Sequence, residues 1–408
     1  MKHDYDVAII GGGPCGSFSA FQIAKNQVTV AVFEEHPQIG VPTHCPGHLS
    51  INGLKRLGLY PLPPKIIENI FYGAKFYSPK GIEFSVRLNS PVTCTVNRSL
   101  FDKYIAHLAE KSGAKYYLHS RVTRLISDKF KVIGLEVQSE TQSRQIFSKI
   151  IIDAEGITAR LLKSAGLNPP EKKWILKAVH AEVENIKNVE DDIVEVYLGN
   201  DYAPGFYFWI IPKKDGVAKI GLAARSGNPG DYLEKVMKKH PIVSLKLKKS
   251  KITYKKFHSI TLGGPISKAF SNGFLAIGDA ASQVKPTTGG GIITGLTCSK
   301  IAAEITLKAI SSNDTSAKFL RQYQERISDF IGFDMKVMRG IRKLLNRTSD
   351  KKIDIIAQLY NMLKLETAIK KVKEIDYQGK AVISAIRDLR ILAFLIYSLI
   401  VLSLQPGR

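Results

Sequence analysis

The sequence predicts a mixed α/β protein in which a βαβ-based half is interleaved with an antiparallel β-sheet domain and followed by C-terminal helices. Three observations predict this. Residues Tyr5 to Phe33 read as strand, glycine turn, helix and strand. Two later strand-and-turn segments, IIIDAEG at 150–156 and FLAIGDAA at 274–281, complete the same half after long excursions. The excursions, around Ile70 to Val86 and Ile175 to Ala224, are rich in the β-branched and aromatic residues of a pleated sheet.

Taken in order, the first strand is Tyr5 to Ile10, the helix runs from about Gly13 to Lys25, and the second strand is Val28 to Phe33. Arg98 to Ser112 reads as a helix. After Gly291 the pattern is helical to the end, with breaks at Ser311 to Thr315 and Asn346 to Asp350. A chain of 408 residues should form two or three units. The expected division puts 1–70, 98–165 and 265–310 in the nucleotide half, 71–97 and 166–264 in the sheet domain, and 311–408 in a helical region.

The formal net charge of +23 calls for an anionic partner, whether membrane surface, phosphorylated substrate or nucleic acid. Nine lysines and no acid lie between Lys235 and Lys256, and fourteen Lys or Arg face six acids from Met335 to Arg390. These runs lack aromatics at the spacing of a nucleic-acid module, so no nucleic-acid partner is expected. The second run leads into ILAFLIYSLIVLSL, residues 391–404, and a basic helix feeding an apolar tail suggests peripheral membrane contact or a buried C-terminal helix. As a helix the tail would be about 21 Å long, short of the roughly 30 Å of hydrocarbon in a bilayer. The start, MKHDYDVAII, lacks the pattern of a signal peptide, so a cytoplasmic protein at the inner membrane face is expected. Cys15, Cys45, Cys94 and Cys298 have no paired spacing, which argues against a disulfide framework or a metal site.

Two segments carry the cofactor chemistry. Gly11, Gly13 and Gly16 stand at GxGxxG spacing between a strand and a helix, the context of a Rossmann dinucleotide fingerprint. Gly11 permits the turn, Gly13 lets backbone approach a pyrophosphate at the helix N-terminus, and Gly16 lets helix pack on strand. Glu34 ends the second strand, where its carboxylate can accept from ribose hydroxyls; Glu35 beside it should point to the other face. In GDAASQVKPTTGGGI, Gly278 and Asp279 end a strand, and Gly289, Gly290 and Gly291 open a long apolar helix. Asp279 can hold a sugar-like hydroxyl, and the helix dipole can stabilise negative charge on a neighbouring ring.

Together these motifs resemble the FAD enzymes of the glutathione-reductase-type fold, in the para-hydroxybenzoate hydroxylase branch. The resemblance implies FAD, with the first motif on the ADP half and the second on ribityl and isoalloxazine. It adds Pro14, Cys15, Arg98, Val122 and Ile292 as cofactor contacts, with Arg98 and the Phe101-Asp102 pair in VNRSLFDKYIAHLAEKSGA placed as across this branch. No second GxGxxG follows a later strand, so electrons are expected from an external donor, whether nicotinamide, deazaflavin or ferredoxin.

The segments EEHPQIGVPTHCPGHLS (34–50) and FYFWIIPKKDGVAKIGL (206–222) narrow the resemblance to the geranylgeranyl reductases. Pro42, Cys45, Gly47, Leu49 and Ser50 fit the first, and Tyr207, Trp209, Pro212 and Gly221 the second. Ile211 stands where that family has Phe, Glu155 where relatives have Asp, and Pro46 and His48 also depart from the pattern. The implied activity is saturation of C=C bonds in the geranylgeranyl chains of a prenyl lipid or prenyl diphosphate. An isolated trisubstituted alkene is not electron-poor, so hydride delivery needs a proton donor at the more substituted carbon's neighbour and aromatic faces for the developing cation. Cys45, which also belongs to the cofactor contacts, and Tyr207 are the donor candidates; Trp209 is the aromatic wall, and His44 and His48 flank the thiol. The main alternative on the same fold is a flavin-dependent hydroxylase or halogenase. A quinone-reducing dehydrogenase would need an iron-sulfur module that four scattered cysteines do not supply.

Overall fold

The computed structural model describes residues 3–140, 142–370 and 376–403, and the chain divides into two compact units. The first comprises residues 1–43, 98–174 and 261–335; the second comprises 44–97, 175–260 and 336–408.

In the first unit the strands Tyr5–Ile10, Val30–Phe33 and Lys115–Tyr117 run parallel on one side of the sheet, with Ser143–Asp153 and then Phe274–Ala276 on the other. The central strands are continuous apolar runs, as suits strands buried on both faces. Val7, Ala8, Ile9, Val32, Ile150 and Ile152 are fully buried. Ser143–Asp153 is long enough to leave this sheet and pair antiparallel with Lys131–Gln138, which pairs with Arg121–Asp128. The helix Pro14–Ala24 packs between Arg98–Lys111 and Ile292–Ser311. Ala317–Ile327 closes the unit: the Tyr323 hydroxyl donates to the Ala276 carbonyl at 3.0 Å and accepts from Gln283 at 2.8 Å.

The second unit is built on a seven-stranded sheet in the order Lys251–Thr261, Ile175–Glu184, Ala218–Ala224, Tyr207–Pro212, Ile193–Leu198, Gly73–Tyr77, Glu83–Arg87. Its neighbours are antiparallel where their register is resolved, except Ile193–Leu198 with Gly73–Tyr77. Alternation gives the sheet two faces. One carries Val179, Ala181, Phe208, Ile210, Ile220 and Leu222, and is packed under the helices Pro229–Lys239 and Val243–Leu247. An ion pair lies in that core: Lys246 meets Glu195 at 2.6 Å, and the Tyr197 hydroxyl donates to the same carboxylate at 2.6 Å.

The division differs from the sequence expectation in that residues 166–174 and 261–264 stay with the first unit, and in two larger places. Residues 44–70 belong with the sheet unit, because His48–Ser50 and Ile67–Phe71 both pair with Thr93–Val96 in a small sheet of their own. The C-terminal region is no third unit. Residues 311–335 stay with the first, while the helix Asp350–Met362 is fastened to the second. Asp350 accepts from the Asn200 amide N–H at 2.8 Å, Asp354 from the Ser78 hydroxyl at 2.6 Å, and Tyr360 donates to the Ser85 carbonyl. The apolar tail forms the helix Leu389–Ser403, with residue 404 outside the described residues. Ile391 packs on Tyr360 and Leu365, while Leu389, Ile396 and Tyr397 are exposed. Among the described residues no helix is long and apolar enough to cross a membrane.

Truncating Lys246 to Ala would strand the Glu195 carboxylate in the core, which costs about 3–5 kcal/mol. A urea titration should show that loss, and Lys246→Met combined with Glu195→Gln should recover most of it. Equal midpoints for wild type and Lys246→Ala would mean that the pair is hydrated in solution.

Candidate active site

The two flavin motifs meet in the first unit. Gly11 turns at φ +93°, and a Cβ there would lie 2.5 Å from the Ala154 carbonyl oxygen; one on Gly16 would lie 2.0 Å from the Gly11 carbonyl oxygen. Gly13 differs, since nothing stands within 4 Å of its Cβ direction. The helix therefore presents open space at its N-terminus, where no side chain caps it and the first-turn amides can receive a phosphate. Glu34 sits over this loop, accepting from the Gly12 N–H at 2.7 Å and the His36 N–H at 3.0 Å. Its remaining lone pairs suit ribose hydroxyls. Glu35 lies on the opposite face, exposed beside Arg121. Val122 is buried two residues beyond Ser120, whose N–H donates to the Glu34 carbonyl.

Cys15 and Pro14 open the helix, and the Cys15 sulfur is wedged between the two motifs. A Cβ on Gly278 would lie 2.9 Å from it and one on Gly295 2.6 Å. Burial pushes this thiol up to about 12, with Asp279 adding to the shift, so Cys15 packs as an inert thiol. Burial also raises the Asp279 carboxyl, and Arg98 opposes that rise. Arg98 makes a bidentate pair with Asp102. Gly291 backs onto Asp279, its Cβ direction 2.9 Å from a carboxylate oxygen, while Gly289 and Gly290 form the turn before Ile292, the first residue of the next helix. The glycine cradle, an open helix N-terminus and two carboxylates at the strand ends fit FAD. Glu155, the departure from the family's Asp, accepts from the Leu161 N–H at 2.8 Å, a span that its extra methylene reaches.

In the second unit, Tyr207, Trp209 and Ile211 share the sheet face opposite the helices, by alternation. Trp209 is paired with Gly221, and a Cβ on Gly221 would lie 2.4 Å from Trp209 Cζ2, so the indole lies across that glycine. Tyr207 stacks on Phe206 and meets Trp209 edge-on at 6.1 Å. Burial raises its phenol to about 12 against the pull of Arg342, which keeps it protonated at neutral pH. Cys45 is half-buried in a loop, its sulfur 3.4 Å from the Gly47 N–H. The loop rests on this same face, since Lys219 of the sheet donates to the Pro46 carbonyl at 2.9 Å. Of the flanking histidines, His44 stacks on His258 and His48 bonds Thr93 at 2.7 Å.

Sequence reasoning missed His180, Lys219, Glu68 and His258. His180 is the other cross-strand partner of Gly221 and is 5% exposed; burial, with Lys219 and His258 nearby, lowers it to about 3. His258 is lowered to about 4 by burial and His44. Both imidazoles are thus neutral near pH 7. Lys219 is 5% exposed and forms a short ion pair with Glu68. Burial lowers its ammonium and Glu68 opposes the shift. A signal for one of them was there: Lys219 is the sole charged residue in the apolar segment AKIGLAA.

The open space at Gly13 and the crowding at Gly16 predict different outcomes for the same substitution. Gly13→Ala should fold normally yet purify with much less FAD, read as the ratio of absorbance at about 450 nm to that of protein. Gly16→Ala should lower thermal stability itself. Full FAD content in Gly13→Ala would place the pyrophosphate elsewhere.

Residues 6–169 match the family of FAD dependent oxidoreductases, and residues 175–255 match the geranylgeranyl reductase catalytic domain. Digeranylgeranylglycerophospholipid reductase 2 of Methanopyrus kandleri is 32% identical over 384 residues, 91% of this chain and 96% of that protein. The digeranylgeranylglycerophospholipid reductase of Methanocaldococcus jannaschii is 32% identical over 366 residues, 87% and 90% of the two chains. Among solved structures, a geranylgeranyl bacteriochlorophyll reductase-like protein from Thermoplasma acidophilum matches with TM-score 0.85 and 26% identity, covering 97% of this chain and 99% of that one. A flavin-dependent brominase, TM-score 0.72 at 20% identity over 91% of this chain and 93% of its own, shares the fold. With both flavin motifs assembled and relatives of this identity along nearly its whole length, the chain belongs to the geranylgeranyl reductase family of FAD-dependent oxidoreductases.

Proposed function

We propose that this enzyme saturates the geranylgeranyl chains of a membrane-lipid precursor, with a digeranylgeranyl glycerophospholipid as substrate and a geranylgeranyl diphosphate as the second choice. The observation that carries the reading is 32% identity to reductases named for that phospholipid over about nine-tenths of the chain. When bound and reduced, FAD supplies the hydride. The chain's residues do the rest: Glu34, Asp279 and the glycine turns hold the cofactor, Cys45 gives its thiol proton to the alkene carbon, and the Trp209 ring faces the cation that develops. Tyr207, held protonated, is the second donor. One hydride and one proton convert each C=C to CH–CH, and the Cys45 thiolate is reprotonated from solvent between turnovers. The electrons come from an external donor, which is a nicotinamide, a deazaflavin or a ferredoxin.

Dithionite-reduced protein mixed anaerobically with a geranylgeranyl lipid should regain its absorbance at about 450 nm while the lipid gains two mass units per bond reduced. Cys45→Ser should keep FAD and slow that step by about 10²–10⁴-fold, the usual contribution of a positioned proton donor. A flavin that stays reduced until oxygen is admitted would put the hydroxylase reading first.

The substrate's location calls for contact with a membrane, and we assign that contact to the cytoplasmic surface. The lysine run 235–256 carries exposed Leu245 and is followed directly by exposed Phe257, and the last helix exposes Leu389 and Ile396. Lysines around apolar side chains suit anionic head groups. The protein should sediment with phosphatidylglycerol vesicles at low salt, release at about 0.5 M salt, and ignore phosphatidylcholine. Equal binding to both lipids would remove the electrostatic part of this assignment.

A further inference from the structure

We infer that Lys219, clamped by Glu68, is the positioning residue that fixes Cys45 relative to Trp209. This rests on the reading of Cys45 as the proton donor. Lys219 lies in a strand whose other members are Ala, Ile, Gly and Leu, all buried, so nothing in the strand itself asks for a cation. Its ammonium has three donors, and three acceptors meet them: the Pro46 carbonyl at 2.9 Å, the Val96 carbonyl at 3.3 Å and the Glu68 carboxylate. Pro46 follows Cys45 directly. Val96 receives the other side of the loop, since its N–H donates to the Gly47 carbonyl at 2.9 Å. The thiol loop and the strand that backs it are thus pinned by one side chain.

The far end of the clamp is equally fixed. Glu68 also meets Lys213 at 3.2 Å, and Lys213 reaches Glu182 on the neighbouring strand at 3.2 Å. On the sheet, Lys219 pairs with Ile211, one row from the Trp209–Gly221 pair on the same face. One row is two residues, about 7 Å along the strand. The clamp therefore sets the Cys45 loop at a fixed offset from the aromatic wall, although the two segments lie far apart in sequence. Stability alone gives a poor reason for this arrangement, because well-packed apolar side chains commonly replace a buried ion pair without loss.

The test uses the full-length FAD-loaded enzyme and the anaerobic single turnover, with Lys219→Met, Glu68→Gln, Cys45→Ser and the Lys219→Met/Cys45→Ser double variant. Lys219→Met is expected to retain FAD and to react about 10²-fold more slowly, with the lipid concentration at half-maximal rate little changed, as a misplaced reacting group does. In the Cys45→Ser background the same change should have no further effect, because both act on one proton transfer. A wild-type rate in Lys219→Met, or a loss that multiplies in full with that of Cys45→Ser, overturns the inference while leaving Cys45 as donor. A wild-type rate in Cys45→Ser overturns the donor reading instead. Should Lys219→Met emerge without FAD, Glu68→Gln is read in its place: a loss that vanishes in the Cys45→Ser background supports the clamp, and an unchanged rate overturns it.

Discussion

The first unit depends on how closely two helices approach at the Cys15 sulfur. Pro14–Ala24 and Ile292–Ser311 meet there, and the sulfur fills the space left where Gly278 and Gly295 have no side chain. A larger group at either glycine would clash with that sulfur and force the packed segments apart. Interiors are packed too densely to absorb such a change locally. Cys15 therefore acts here through its volume. Its thiol stays protonated because the same burial that lets it pack disfavours the thiolate.

The second unit solves a different problem, which is to keep polar groups on a sheet face without flooding it. One face is closed by two helices over an apolar core that also holds the Lys246–Glu195 pair and, against Tyr197, the His240 ring. The other holds His180, Lys219 and Glu182 among apolar neighbours, and the charges there are cancelled in pairs by Glu68 and Lys213. His180 and His258 stay neutral chiefly because burial disfavours their charged forms, with Lys219 adding to the effect at His180 and His44 at His258. Such a surface can adjoin an apolar chain and still deliver a proton.

Much of this was legible in the sequence because it depends on local spacing. GxGxxG with a carboxylate at the next strand end, and GD followed by GGG, are requirements of backbone approach that only glycine and a short carboxylate meet; the structure assembled both within one unit. The Trp209–Gly221 pair was visible as residues but not as a contact, since the cross-strand register that stacks one on the other is a tertiary fact. The clamp was invisible for the same reason: Glu68, Lys219 and Pro46 belong to three separate segments. Residues 44–70 group with the sheet unit because their strands of three and five residues pair with Thr93–Val96, and strands so short leave little periodic signal.

The likeness to a flavin-dependent brominase in fold alone makes clear where the chemistry is decided. A fold shared at 20% identity cannot by itself select between reduction of an alkene and activation of oxygen. Selection must come from the groups that meet the substrate. Hydride delivery to an unactivated alkene requires a proton held at the carbon, and a proton is useful there only if its carrier cannot drift toward water. Under the proposed function that requirement falls on a loop thiol, that of Cys45, and loops are the most mobile part of a fold. Anchoring the loop by a buried ammonium to the strand that carries Gly221, beside the strand that carries Trp209, transfers the rigidity of the sheet to the thiol. The substrate can then be as long and featureless as a prenyl chain, because the precision the reaction needs resides in the protein.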